Sequence, residues 1–191
     1  MSMNPKNEII KYGKIIYEMG LTESSHSGNI SIREDDKVYI KKHGTMLGHL
    51  TEDDIVEISL KNEKNYDIAS SEVYSHVEIY KNTDSNAIIH AHTIYAVVLS
   101  ISENIDKIVP IDEEGKYYLD YIPIVEVKNP VASKELAEAL GKIMKNHNMA
   151  VVKGHGTFAR GRNLSEALKN LTLVESISKI IYLTKIYKNI L

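Results

Sequence analysis

Residues Ile88 to Ser100 read IIHAHTIYAVVLS. Two histidines, His90 and His92, stand one residue apart inside an apolar run. Side chains on a strand alternate faces. If NAIIHAH is a strand, both imidazoles point the same way, while Ile89 and Ala91 take the other face. TIYAVVLSIS follows without a break and has the character of a helix. A strand running straight into a helix sets an α/β order for the chain. Two imidazoles on one strand face are close enough to share one metal ion. A hydrogen-bonded, partly buried structural pair explains the same two residues, and the pair alone leaves both readings open.

Outward from this stretch the elements follow from periodicity. NPKNEIIKYGKIIYEMG has Ile9, Ile10, Ile15, Ile16 and Met19 at near-helical spacing, stopped by Gly20. GNISIR and KVYIKK alternate around an acidic turn at Glu34 to Asp36 and predict a hairpin. DIVEISL is a third strand. SSEVYSHVEIYKN predicts a helix whose serines are suited to cap it. YIPIVEV is a strand, and SKELAEALGKIMKNH is a helix capped by Ser133. MAVVKGHGTFARG is two short strands about a glycine-rich kink. The closing helix opens at Asn163, with Glu166 in the capping-box position. This order predicts one α/β domain over residues 1–191, a largely β layer covered by helices.

Composition narrows the function. The 191 residues carry 23 Lys and Arg against 26 Asp and Glu, a net charge of −3, which argues against a sequence-blind grip on nucleic acid. No apolar run approaches the roughly 20 residues of a membrane helix, and MSMNPKNEII has no signal-peptide core. A cytoplasmic protein with no nucleic-acid or membrane partner is the expectation. With no cysteine, any metal is held by nitrogen and oxygen.

A catalytic zinc site wants three protein ligands and an open position. Among the eight histidines, His155 stands out, flanked by Gly154 and Gly156, which allow a sharp turn that exposes the ring. A surface turn histidine is the plainer reading. Glu72 falls at the start of the SSE helix, where the dipole favours a carboxylate. His76, four residues on, shares its helical face and is expected to pair with it. A cupin-type site wants a Glu shortly after the His pair, where this chain has Ala96 and Val97. A metal-dependent hydrolase barrel needs roughly 250 residues.

Together SGNISIR, SSEVYSHVEIY, IIHAHTIYAVVLS and VVKGHGTFARGRNLSEAL resemble the class II aldolase family, the fuculose-phosphate and ribulose-phosphate aldolase group. The resemblance runs from about Glu8 to Leu183, with the motifs in family order. It implies a three-layer α/β/α fold with a mainly antiparallel sheet covered by helices on both sides. It implies that His90, His92 and His155 hold a divalent ion, usually zinc, although another divalent transition metal suits such donors. Glu72 lies beside the ion, as ligand in the empty site or as acid/base. Gly28, Asn29, His43, Gly44, Ser70 and Ser71 line a phosphate pocket. The implied reaction is reversible cleavage of a small ketose 1-phosphate, L-fuculose 1-phosphate-like, to dihydroxyacetone phosphate and a short aldehyde such as L-lactaldehyde, through a metal-stabilised enediolate. A homotetramer is implied too.

Two departures bear on substrate. The family's phosphate loop usually reads Thr-Pro-Thr/Ser-Gly, whereas Lys41 to Gly44 read KKHG, with His43 in place of the hydroxyl. The plain reading of Lys41 and Lys42 is a solvated strand end; either charge also suits phosphate. Ile111 falls where the fuculose-phosphate branch has an acid tyrosine, which leaves Tyr117 or Tyr118 for that role. Two other readings are a methylthioribulose-1-phosphate dehydratase-like lyase of the same family, and an adducin-like binding module without turnover, against which the three retained histidines speak.

Overall fold

The computed structural model describes residues 4–22, 24 and 26–190. In chain order the elements are α1 (Pro5–Glu18), β1 (Asn29–Glu34), β2 (Lys37–Lys41), β3 (Ile55–Ser59), α2 (Val73–Asn82), β4 (Ala87–Ala91), α3 (Ile94–Ser102), β5 (Lys107–Ile108), α4 (Glu113–Tyr118), β6 (Ile122–Val125), α5 (Lys134–Ile143), β7 (Met149–Val152), β8 (Gly156–Gly161) and α6 (Leu164–Ile190). The strands form one sheet in the order β3-β2-β1-β4-β8-β7-β6-β5. Every pairing is antiparallel except β6 with β7.

Local chemistry accounts for most boundaries. The Asn4 side chain accepts from the Lys6 N–H at 3.0 Å, and Pro5 opens α1 where a missing N–H is harmless. Ser133 caps α5 by accepting from the Leu136 N–H at 2.9 Å. Asn163 accepts from the Glu166 N–H at 2.9 Å. The Glu166 carboxylate does not close the box on Asn163; it accepts from the Arg162 N–H at 2.7 Å. The sequence reading passes over β5 and α4. β5 has two residues, too few for alternation to register, and α4 is six residues around Gly115, with Asp112 accepting from the Gly115 N–H at 2.8 Å.

Strand alternation feeds two separate apolar clusters. Ile30, Ile89, Val151 and Ala159 pack with Ile9 and Ile16 of α1, Ala96 and Leu99 of α3, and Leu171 and Val174 of α6. Val38, Ile40, Ile88, Val152 and Phe158 pack with Val73 and Val77 of α2 and Leu136 and Leu140 of α5. α3 has its amino end capped from another helix, because the Glu175 carboxylate accepts from the Tyr95 and Ala96 N–H groups at 3.1 and 3.2 Å.

β8 turns into α6 at Gly161. A Cβ there would lie 2.6 Å from the Ala167 nitrogen and 2.8 Å from the Glu166 Cβ. Both belong to a helix start pinned by the cap, so neither yields cheaply. Gly161→Ala is expected to destabilise the fold by about 2 kcal/mol or more, read as a lower urea unfolding midpoint at unchanged slope.

Candidate active site

β4 delivers His90. Its register places His90 opposite Asn29 of β1 on one side and opposite Phe158 of β8 on the other. The His90 ring stacks on Phe158 with centroids 4.1 Å apart. His92 lies one residue beyond β4. His155 sits on the β7–β8 turn, where Gly154 has φ +71 and donates its N–H to Ser100 of α3 at 3.0 Å. A Cβ on Gly156 would lie 2.5 Å from the Ala91 carbonyl oxygen. The absence of that atom lets β8 close on β4 and brings the third histidine to the other two.

The ring centroids are 5.1 Å apart for His90 and His92, 4.7 Å for His90 and His155, and 5.0 Å for His92 and His155. One ligand atom from each lies within 4.8 Å of the others. His90 Nδ1–H donates to the Thr157 carbonyl at 3.1 Å, which turns a bare Nε2 lone pair toward its neighbours. His90 Nε2 and His155 Nδ1 are buried without a hydrogen-bond partner. Such orphans are unfavourable by about 1–3 kcal/mol each, and a cation satisfies them. Burial, reinforced by His155 and His92, holds His90 well below the usual histidine range. Burial and then His155 bring His92 down to about 4, and burial lowers His155. Neutral imidazole is the form that binds a metal.

Glu72 is the residue before α2, not part of its first turn, and its side chain makes no cap hydrogen bond. It is 3% exposed. Its Oε2 accepts from the Ser75 hydroxyl at 2.9 Å and its Oε1 from the Ala132 N–H at 2.8 Å. Oε1 lies 4.0 Å from His155 Nε2. Ala132 holds a left-handed φ of +51 to present that N–H. Burial pushes the Glu72 pKa up, against the two hydrogen bonds.

The expected Glu72–His76 pair does not form. His76 is fully buried against β1, where alternation brings Asn29 and Ser31 to the same face of the strand. Its Nδ1 accepts from the Ser31 hydroxyl at 2.7 Å, and its Nε2–H donates to Asn29 Oδ1. The Tyr80 hydroxyl closes the network on the Ser31 carbonyl at 3.1 Å. With Oδ1 engaged by His76, the Asn29 amide NH₂ is left as the donor at the cleft.

These groups line one cleft of about 500 Å³. It gathers Gly28, Asn29, His43, Gly44, Ser70, Ser71, Glu72, His90, His92 and His155. It also takes in Lys41, for which the sequence reading left a phosphate role open, and His26, Ser27 and Val131, which that reading did not place there. Lys41 is 3% exposed, not a solvated strand end. Its place as the first residue of KKHG is the signal that pointed its way. Ser70 is buried and Ser71 exposed, and the nearest either comes to capping is a 3.4 Å contact from the Glu72 N–H to Ser70 Oγ.

Tyr117 and Tyr118 are not brought to the cleft, and among the described residues no tyrosine lines it. Gly115 packs inward, where a Cβ would lie 2.7 Å from Pro110 and 3.0 Å from Ile177. That rotates Tyr117 outward to 82% exposure and sets Tyr118 beneath Lys169, 4.1 Å from its ring centroid.

The buried neutral rings govern acid stability. His76, His90 and His92 have folded pKa values below the ordinary 6.5, with His76 lowered to about 3 by burial. Below pH 6.5 the unfolded chain therefore takes up protons that the folded chain does not, and stability falls from there downward. Each ring contributes up to about 1.4 kcal/mol per pH unit in that window. Glu72, raised by burial, acts in the opposite sense, as one group against these three and His155, which burial also lowers. Urea unfolding of metal-free protein is expected to show a loss of about 2 kcal/mol or more between pH 7 and pH 5. A flat profile would mean the rings take up protons within the fold.

Known proteins share this fold and sequence. Residues 7–182 match the Class II Aldolase and Adducin N-terminal domain family. An L-fuculose phosphate aldolase of Methanocaldococcus jannaschii is 33% identical over 185 residues, spanning 96% of this chain and 98% of its own. A 3-oxo-tetronate 4-phosphate decarboxylase of Pectobacterium atrosepticum is 29% identical over 182 residues, spanning 92% and 83%. The crystal structure of an L-fuculose-1-phosphate aldolase from Thermus thermophilus superposes with a TM-score of 0.88 at 29% identity, covering 96% of this chain and 95% of that one. With fold, sequence and histidine cluster in agreement, the chain belongs to the class II aldolase family, as a metal-dependent enzyme of the aldolase and lyase type.

Proposed function

We propose that the chain reversibly cleaves a small ketose 1-phosphate of the L-fuculose 1-phosphate type, giving dihydroxyacetone phosphate and a short aldehyde such as L-lactaldehyde. One observation carries this reading: three neutral imidazoles and one buried carboxylate converge on a single cleft. His90, His92 and His155 would hold a divalent ion, zinc as the family resemblance implies, although such donors also suit other divalent transition metals. When bound, that ion supplies a Lewis acid for negative charge on substrate oxygens. The names of the relatives support a phosphorylated sugar. We extend the reading to a cytoplasmic homotetramer; among the described residues no helix is long and apolar enough to cross a membrane.

Glu72 does the proton work at carbon. In the synthetic direction its carboxylate takes the proton beside the dihydroxyacetone phosphate carbonyl, and on cleavage it returns that proton. Ser75 and the Ala132 N–H aim the carboxylate, and burial keeps it basic enough to accept. In the same cleft Gly28, Asn29, His43, Gly44, Ser70 and Ser71 would take the phosphate, using backbone N–H groups, hydroxyls and the Asn29 amide.

A second reading, decarboxylation of a 3-oxo-acid phosphate, has one observation in its favour: the decarboxylase relative is nearly as similar as the aldolase. Loss of carbon dioxide leaves the same charge beside a carbonyl and needs the same proton return, so one set of residues serves both reactions.

Zinc-loaded protein is expected to release dihydroxyacetone phosphate from L-fuculose 1-phosphate, followed by a coupled reductase. Chelation should abolish the release and zinc should restore it. Carbon dioxide from 3-oxo-tetronate 4-phosphate, without cleavage of the ketose phosphate, would install the second reading. Glu72→Gln is expected to lower kcat about 10²- to 10⁴-fold at one metal per chain; a kcat within a few-fold of wild type would remove Glu72 as the proton carrier.

A further inference from the structure

α3 begins with a threonine in the cap position that does not cap. Thr93 precedes Ile94 and makes no side-chain cap hydrogen bond, because Glu175 of α6 already accepts from the Tyr95 and Ala96 N–H groups. A threonine at such a position ordinarily accepts from those same donors. Here its hydroxyl is turned to another use: it shares a hydrogen bond of 2.6 Å with the Thr157 hydroxyl, 64 positions away in the chain. Both threonines are fully buried. A neutral hydroxyl pair adds little net stability over two apolar side chains of the same shape, so the fold alone gives no reason for it.

The pair lies behind the histidines. Thr157 is in register with Ala91, so its side chain shares the face of Ala91 and Ala159, which packs on α1, α3 and α6. His90 and Phe158 take the opposite face. His92 directly precedes Thr93, so the chain passes from the cleft to α3 within one residue, and the hydroxyl pair pins that crossing to β8. Thr157 thereby serves two ligands from one position: its carbonyl accepts from His90 Nδ1–H at 3.1 Å, and its hydroxyl secures the residue after His92. The third ligand is tied to the same helix. Ser100 of α3, also fully buried, accepts from the Gly154 N–H at 3.0 Å, next to His155, and donates to the Val97 carbonyl at 2.7 Å. α3 is thus fastened at its start to β8 and in its last turn to the β7–β8 turn, and both fastenings end beside a histidine.

We infer that Thr93, Thr157 and Ser100 are positioning residues for the metal centre: from the far face of the sheet their buried hydroxyls hold His90, His92 and His155 at the separation that lets three ring nitrogens share one ion. Groups that orient the ligands set metal affinity without touching the metal. This role rests on the metal-binding part of the proposed function and is independent of the substrate.

The test is zinc affinity by competition with a chromogenic chelator, read beside urea unfolding of the metal-free chain. The proteins compared are wild type, the double variant Thr93→Val with Thr157→Val, Thr157→Ser and Ser100→Ala. The double variant removes the pair without leaving an unpartnered buried hydroxyl, so its unfolding midpoint should stay near that of wild type. Its zinc affinity should fall about tenfold or more. Thr157→Ser keeps the hydroxyl and should keep the affinity within a few-fold. Ser100→Ala leaves the Gly154 N–H to solvent, because Gly154 is exposed, so it covers the event that the double variant does not fold. It should weaken zinc by a similar factor. Wild-type zinc affinity in a folded double variant or in Ser100→Ala would overturn the inference. So would a loss of affinity that follows the unfolding midpoint from variant to variant, the mark of a merely structural role. A wild type that binds no zinc would remove both this role and the metal reading beneath it. Tight zinc in a chain that cleaves no ketose phosphate would keep the role and remove the aldolase reading. Ketose phosphate cleavage by a double variant of unaltered zinc affinity would do the reverse.

Discussion

β4 sits between β1 and β8, and its two antiparallel registers decide where the functional side chains fall. One register sets His90 beside Asn29, and the other sets it against Phe158. The second is tight because Gly156 has no Cβ to meet the Ala91 carbonyl. A larger residue there would part the strands and carry His155 away from His90 and His92. The metal-binding capacity of the cleft therefore depends on a backbone contact before it depends on any ligand.

Around that contact the interior is organised by charge state. Three imidazoles are kept neutral by burial, with two nitrogens left unsatisfied. Glu72 is buried but held by two donors. His76 is buried, neutral and fully hydrogen-bonded, and its partners leave the Asn29 amide as a donor. Lys41 is buried and charged, its ammonium donating to carbonyls, and among the described residues no carboxylate forms an ion pair with it. Unsatisfied lone pairs, an aimed carboxylate and a buried cation within one cleft are unfavourable on their own. A bound cation and a bound anion would satisfy them, and stability given up at a site is a common mark of function.

Much of the fold was legible locally. The helix α1 announced itself by period and by Gly20 as its stop, α5 and α6 by Ser133 and Asn163 as caps, and the β1–β2 hairpin by alternation around an acidic turn. The meeting of His90, His92 and His155 was legible from a His-x-His strand, a glycine-flanked histidine and the family resemblance they carry. The short β5 and α4 were missed, since two and six residues carry too little periodicity to register. Helical spacing offered Glu72 as the partner of His76 and was overruled, because the face that spacing selects is the one packed on β1.

By itself the sequence determined which residues are able to bind a metal, move a proton or hold an anion, and that an α/β chain carries them, for these follow from side-chain chemistry and local period. The tertiary structure alone decided which of them meet. It turned Tyr117 and Tyr118 away through the packing of Gly115. It gave His76 to Asn29 and Ser31, and it buried Lys41 at the cleft edge. Such outcomes depend on contacts between residues tens of positions apart, whose register no local pattern encodes.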